Sequence, residues 1–221
     1  KIIVLVNGNK ISFGHIINAT GLQADKVAYK FGIGKQYTLL PFKGYYWKLK
    51  KNSPFKINSN LYPVPDLNVP FLGVHFTPNY NNSEVYIGPT ATPAFGRYNY
   101  KFFEGIEPLM AFSNITKMAK QYILNKEGFR RYGNEQALLA LPPLFLKAAK
   151  ELVPSLSSNN IEPSNKIGIR SQLYDNDKQK LVNDFLCLNG PNSTHVLNAI
   201  SPAFTSSFEL ADLIIDQINF N

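Results

Sequence analysis

Few residues in this chain have types and spacing suited to chemistry. His75 lies in the run Phe71-Leu72-Gly73-Val74-His75-Phe76-Thr77, where Leu72, Val74 and Phe76 alternate with Gly73, His75 and Thr77. A strand turns alternate residues to opposite faces, so His75 stands on the small, polar face. A histidine there is either a satisfied half-buried imidazole or a group that accepts a proton near neutral pH. Lys43, between Phe42 and Gly44 in an aromatic segment, is either a solvated lysine or a cation facing a carboxylate. Arg97 reads equally as a surface ion-pair partner or an anion clamp. Tyr45 and Tyr46 are by default core or cleft-wall residues. Gly21 marks a tight turn from strand to helix. Ser201 to Ser207 is rich in small and capping residues and precedes a helix.

Other chemistries are excluded. No GxGxxG, P-loop or HExxH pattern occurs, and no G-x-S-x-G nucleophile elbow. His15, His75 and His195 lack metal-ligand spacing, so no metal site is expected. With Cys187 alone, no internal disulfide can form. That fits a reducing compartment.

The elements that must position these residues follow from periodicity. Residues 1–20 read as two β segments around Asn7-Gly8-Asn9, and a helix with Ala24, Val27, Ala28 and Phe31 on one face is closed by Gly32. Strand, glycine and helix in that order make an α/β unit, as at the last strand of a nucleotide-binding sheet. In 37–49, Tyr45, Trp47 and Leu49 alternate with Tyr46 and Lys48. Residues 52–70 form a Pro- and Asn-containing loop, Phe71 to Thr77 a strand, and 84–88 another. Residues 104–153 are mainly helical, interrupted at Gly128, Gly133 and Pro142-Pro143. A polar loop covers 154–166. Ile167 to Arg170 precede a turn at Asp175-Asn176-Asp177, then a short strand at 181–188. A helix from about Thr205 places Phe208, Ala211, Ile214, Ile215 and Ile218 at helical spacing.

The chain has 221 residues, 44% of them hydrophobic and 17% charged, which is enough for one large domain or two small ones. No run of about eighteen apolar residues is present, so no membrane span is expected. Lys1 to Val6 is too short an apolar run for a signal peptide and reads as a strand entered midway, so the chain is expected to be cut from something longer. The net charge is +8. A nucleic-acid binder would gather this charge into a patch. Here it is spread along the chain, densest at Lys48, Lys50 and Lys51 and at Arg130 and Arg131. A solvated basic surface is the expectation, with no nucleic-acid partner, and attraction for an anionic substrate or an anionic membrane surface is compatible with it.

Several segments carry a family likeness. Asn18-Ala19-Thr20-Gly21-Leu22-Gln23-Ala24-Asp25 resembles the strand–glycine–helix element near the end of the FAD domain in flavoproteins of the D-amino-acid-oxidase-like superfamily. Leu40-Pro41-Phe42-Lys43-Gly44-Tyr45-Tyr46, Tyr62-Pro63-Val64-Pro65-Asp66 and Pro70-Phe71-Leu72-Gly73-Val74-His75-Phe76-Thr77-Pro78 resemble the L-2-hydroxyglutarate oxidase/dehydrogenase branch. Gly88-Pro89-Thr90-Ala91, Ala94-Phe95 and Arg97 follow. Then come Gly168-Ile169-Arg170-Ser171-Gln172, Asp184-Phe185 and His195 to Ala203. The likeness runs over nearly the whole chain. Lys43, Thr90, Tyr98, Ile200 and Phe204 stand where that family usually has Arg, Asn, Glu, Pro and Ala.

The resemblance implies a mixed α/β (α+β) fold. Residues 37–166 would be a substrate-binding domain built on a mixed, largely antiparallel sheet with helices. Residues 1–36 and 167–221 would be the C-terminal remainder of an FAD-binding Rossmann-like domain, with the N-terminal FAD-binding segment absent. It implies FAD as cofactor and oxidation of a 2-hydroxyacid by hydride transfer to flavin N5, with O2 or a quinone as electron acceptor. His75 would be the base. Lys43, Tyr45 and Arg97 would hold substrate. Thr20, Gly21, Arg170, Asn198, Ser201, Pro202, Ala203 and Thr205 would line the cofactor, with Ala199 to Ser207 at the flavin pyrimidine edge. The implied location is cytoplasmic, with peripheral association at the inner membrane left open. The alternatives are an amino-acid, amine or glycerol-phosphate oxidising relative, or an inactive fragment retained as a folded module.

Overall fold

The computed structural model describes residues 1–64 and 73–218. Gly8, at φ +83°, lets the chain reverse between β1 (Ile2–Val4) and β2 (Lys10–Ser12), which pair antiparallel. After β3 (Ile16–Asn18) and a turn at Gly21–Gln23 comes α1 (Ala24–Lys30). Gly32, at φ +77°, ends the helix as its N–H bonds the Tyr29 carbonyl and that of Ile33 bonds Ala28. Then follow β4 (Tyr37–Leu49), β5 (His75–Asn79), β6 (Glu84–Gly88) and β7 (Thr92–Pro93). Three helices come next, α2 (Pro108–Leu124), α3 (Phe129–Leu138) and α4 (Pro142–Lys150). The remaining elements are β8 (Ile161–Asp175), β9 (Lys180–Leu181), β10 (Leu186–Gly190), β11 (Ser193–Asn198) and α5 (Ser207–Asp216).

The chain divides into two compact units, Lys1–Leu39 with Ser171–Asn221, and Leu40–Arg170. In the first, β10 and β11 pair antiparallel while β11 and β3 pair parallel. Ala24 and Ala28, four residues apart on one face of α1, pack with Leu173 and Leu197. The small alanines let helix and strand approach closely.

The sheet that carries the second unit has the strand order β5-β6-β4-β8-β9, with β7 against β4. The pairs β5–β6, β6–β4, β4–β7 and β8–β9 are antiparallel. Leu49, Phe76, Ile87 and Ile161 from the sheet, with Val74, pack against Phe145 and Ala149 of α4. The Trp47 ring stacks on Phe145 at 5.7 Å between centroids. One face of these strands is therefore core, and the alternate residues form the opposite face. The fold is mixed α/β, and the antiparallel pairing dominates.

Several elements differ from expectation. The polar segment expected as a loop over 154–166 supplies the first half of β8. Its polar residues do not break the strand because Glu162, Lys166 and Arg170 alternate onto the non-core face. Gly133 lies inside α3 without interrupting it, and the break falls at Asn125 and Gly128, both with positive φ. The expected strand at 181–188 is two strands, β9 and the start of β10. The His75 strand begins at His75, while Phe71 and Leu72 lie outside the described residues, as do Pro65 to Pro70. On α5, Ile214 is buried but Phe208 is 86% exposed, and Ile218, also buried, lies just beyond the helix end. Among the described residues no helix is long and apolar enough to cross a membrane.

Candidate active site

The non-core face of the second unit gathers titratable and aromatic side chains. His75 of β5 pairs in register with Gly88 of β6. A Cβ on Gly88, at φ +135°, would meet the Tyr45 carbonyl at 3.0 Å and Tyr46 Cδ1 at 3.3 Å. Gly88 thus keeps the space between His75 and Tyr46 open. Arg170 comes from β8, the next strand beyond β4.

His75 Nδ1 lies 2.9 Å from the Gly73 carbonyl. A carbonyl only accepts, so Nδ1 carries the hydrogen and Nε2 keeps its lone pair. The Tyr62 ring lies 4.7 Å from the imidazole. Burial lowers the pKa of His75, and Arg170 and Lys166 lower it further, against the Gly73 hydrogen bond. The free imidazole is therefore neutral at physiological pH.

Arg170 is half-buried and faces Tyr46 and Tyr132. Burial pulls its pKa down and the two phenols oppose that, but a guanidinium keeps its charge. Burial raises the pKa of Tyr46 and of Tyr132, so both are neutral hydrogen-bonding groups. The Lys166 ammonium sits over the Tyr46 and Tyr86 rings, at 4.8 Å and 4.3 Å from their centroids. Further along the face, Lys48 donates to Glu84 at 2.6 Å and approaches Glu162 at 3.5 Å.

The residues expected to hold substrate are placed differently. Lys43 is buried and donates to Asn99 Oδ1 at 3.0 Å and the Lys101 carbonyl at 3.5 Å, with its ammonium 5.7 Å from the Tyr45 ring centroid. Asn99, fully buried, donates to the Lys101 and Glu104 carbonyls and accepts from the Phe95 amide. Lys43 therefore anchors the loop of residues 95–107. Among the described residues no carboxylate pairs with it, so the buried ammonium would favour an incoming anion. Arg97 is buried in that loop, its amide bonded to Glu107 Oε1 at 2.9 Å. The structure brings Lys43 and Tyr45 together, and His75 with Arg170. Among the described residues His75 is not hydrogen-bonded to Lys43 or Tyr45.

The expected cofactor residues, Arg170 apart, lie in the first unit. Thr20 and Gly21 follow the carboxyl end of β3, and Asn198 ends its parallel neighbour β11. Ligands of open α/β sheets bind outside the carboxyl ends of parallel strands. Gly21, at φ +56°, has nothing within 4 Å of a notional Cβ, so a ligand can approach its backbone. Asn198 is buried, with Nδ2 on the Val182 and Asp184 carbonyls and Oδ1 unpartnered among the described residues. Ser201 to Ser206 form turns in which the Thr205 and Ser206 hydroxyls and the Ser206 amide all donate to the Pro202 carbonyl. Ala203 donates to Ile200 within the same turns, and Phe204 points outward, 93% exposed. This donor and acceptor set, with its open backbone, fits a flavin nucleotide.

Sequence reasoning missed Tyr62, Tyr132 and Lys166. Lys166 carried a signal, since it shares the parity of Glu162 and Arg170. Tyr62 stood in a segment with the family likeness but was given no role, and Tyr132 carried no signal, because it reaches the site from a helix.

A parallel-strand carboxyl end open to a nucleotide, and an antiparallel sheet bearing a neutral histidine beside cations, fit a flavoprotein of the FAD dependent oxidoreductase family. The profile of that family matches residues 2–217, and the chain belongs to it. It is 33% identical over 220 residues to the mitochondrial L-2-hydroxyglutarate dehydrogenase of Nematostella vectensis, covering 96% of this chain and 46% of that protein. It is 33% identical to the L-2-hydroxyglutarate dehydrogenase of Indibacter alkaliphilus (96% and 53%) and 31% identical to the human mitochondrial enzyme (96% and 46%). The chain spans about half the length of the curated relatives it matches. Its fold is similar to that of dithionite-reduced L-alpha-glycerophosphate oxidase from Mycoplasma pneumoniae with FAD bound, at TM-score 0.54 and 20% identity, covering 97% of this chain and 48% of that one.

Proposed function

We propose that the chain is part of an FAD-dependent enzyme that oxidises L-2-hydroxyglutarate, or a similar 2-hydroxyacid, to the 2-oxoacid. The Leu40–Arg170 unit holds substrate. The other unit contributes Thr20, Gly21, Asn198, Ser201, Pro202, Ala203 and Thr205 to the FAD site. FAD, when bound, supplies the acceptor at N5 for the hydride that leaves substrate C2.

The observation that carries this reading is the state of His75. Its Nδ1–H is held by Gly73, so the Nε2 lone pair is free to take the hydroxyl proton as the hydride departs. The alcohol thus loses a hydride and a proton, which leaves the carbonyl of the 2-oxoacid. Arg170 and Lys166 disfavour the resulting imidazolium, so the proton passes on to solvent readily. Arg170 faces the same ground as His75 and is the cation best placed for the carboxylate at C1. Lys43, Tyr45 and Arg97 are kept as further substrate-holding residues on the family likeness alone, since Lys43 and Tyr45 share the β4 parity of Trp47 and Leu49, away from His75. The likeness to L-2-hydroxyglutarate dehydrogenases supports the same substrate class.

The test is product identification with the complete protein and a panel of L-2-hydroxyglutarate, a monocarboxylic 2-hydroxyacid, an amino acid and glycerol phosphate. A 2-oxodicarboxylate formed from L-2-hydroxyglutarate at the highest kcat/KM supports the reading. Release of ammonia, or preference for glycerol phosphate, overturns it.

A further inference from the structure

His195 is fully buried on β11 and pairs in the parallel register with Asn18 of β3. Asn18, also buried, uses both ends of its amide. Nδ2 donates to the Ala24 carbonyl at 2.8 Å and lies 3.0 Å from His195 Nδ1. Oδ1 accepts from the Thr20 hydroxyl at 2.7 Å and the Thr20 amide at 3.4 Å. Reversing the amide would set oxygen against the Ala24 carbonyl and nitrogen against the Thr20 N–H. The orientation is therefore fixed, and His195 Nδ1 must be the acceptor.

His195 is accordingly neutral, with its proton on Nε2. Burial, with His15 nearby, lowers its pKa and keeps it so. Nε2 has no partner among the described residues, and the ring packs at 5.0 Å from Phe31. An unpartnered buried N–H is a cost. What the imidazole contributes in return is the acceptor at Nδ1. From there a continuous hydrogen-bonded chain runs through Asn18 to Thr20, at the carboxyl end of β3.

We infer that His195 is a positioning residue which, acting through Asn18, holds Thr20 and Gly21 in the conformation that receives the cofactor. The inference rests on reading the Thr20–Gly21 turn as part of the FAD site. Neither His195 nor Asn18 needs to touch the cofactor. Without the Nδ1 acceptor Asn18 loses one of its restraints, and its carbonyl no longer fixes Thr20.

The test measures FAD affinity by fluorescence titration of the complete apoprotein, independent of turnover. Thr20→Ala and His195→Leu should each weaken FAD about five- to tenfold, the scale of one buried hydrogen bond. The double variant should be no worse than the weaker single one, because both cut the same chain. His195→Asn, whose Oδ1 can occupy the Nδ1 position, should restore most of the affinity. Additive losses, or unchanged affinity in His195→Leu while Thr20→Ala is weakened, overturn the inference. Unchanged affinity in Thr20→Ala overturns the cofactor reading of the turn and the inference with it, a pattern distinct from failure of the inference alone. If His195→Leu does not fold, ring-nitrogen NMR of the unsubstituted protein decides. A bare Nδ1 with protonated Nε2 is expected, and a protonated Nδ1 overturns the inference.

Discussion

The Gly73 carbonyl holds His75 Nδ1 at 2.9 Å, and that bond decides which imidazole nitrogen is free for chemistry. With Nδ1 occupied, only Nε2 can take a proton from a substrate. In the complete enzyme, His75→Ala should lower kcat by about a hundredfold or more, the usual scale for removal of a general base. FAD content and melting temperature should stay near those of the parent. Steady-state kinetics beside a flavin absorbance spectrum check both points.

The pH dependence follows from the surroundings of the same ring. Burial first, then Arg170 and Lys166, press the His75 pKa below the ordinary value of about 6.5. The neutral, competent form therefore persists to lower pH, and kcat/KM should fall only as pH drops through this depressed value. Arg170→Met removes a cation that penalises the imidazolium, so the pKa rises and the acid limb should move to higher pH. A kcat/KM profile on both proteins tests the sign, and a limb that moves down or stays fixed would show that Arg170 does not face His75.

Part of this site was legible in the sequence. Alternation placed His75 opposite Phe76, and Tyr46 opposite Trp47, on the correct faces, because each strand has one apolar side. The meeting of His75 with Arg170 was not legible. Ninety-five positions separate them, and β4 sits between β6 and β8, neither of which is its neighbour in sequence. The first half of β8 was hidden too, because Pro163, Ser164 and Asn165 are turn formers. What makes that stretch a strand is tertiary, with Ile161 in the core and Glu162 facing Lys48. Lys43 was noticed, but its role as loop anchor depends on Asn99, which has no local signal.

Gly88 is a further test of the geometry. Its φ of +135° and the 3.0 Å approach to the Tyr45 carbonyl leave no place for a side chain. Gly88→Ala should cost about 2–3 kcal/mol of stability, the scale of a strained backbone position with a close contact. It should also lower kcat/KM by displacing Tyr46 from Arg170. Chemical denaturation and kinetics on the same preparation separate the two effects.

Lys43 offers a test of substrate size. Lys43→Met removes the anchor of the 95–107 loop and the proposed substrate-holding cation together. It should raise KM for a 2-hydroxydicarboxylate by about tenfold or more, the scale of one lost charged hydrogen bond. A monocarboxylic 2-hydroxyacid should be affected less. Equal loss for both substrates would leave Lys43 as a loop anchor alone.

The measurement that bears most directly on the central claim is anaerobic mixing of the complete, FAD-loaded protein with L-2-hydroxyglutarate. The visible flavin absorbance should bleach as one equivalent of 2-oxoacid forms. In His75→Ala the bleaching should slow by about a hundredfold or more while bound FAD is unchanged. Bleaching at the parental rate in His75→Ala, or none at all in the parent protein, would contradict the account.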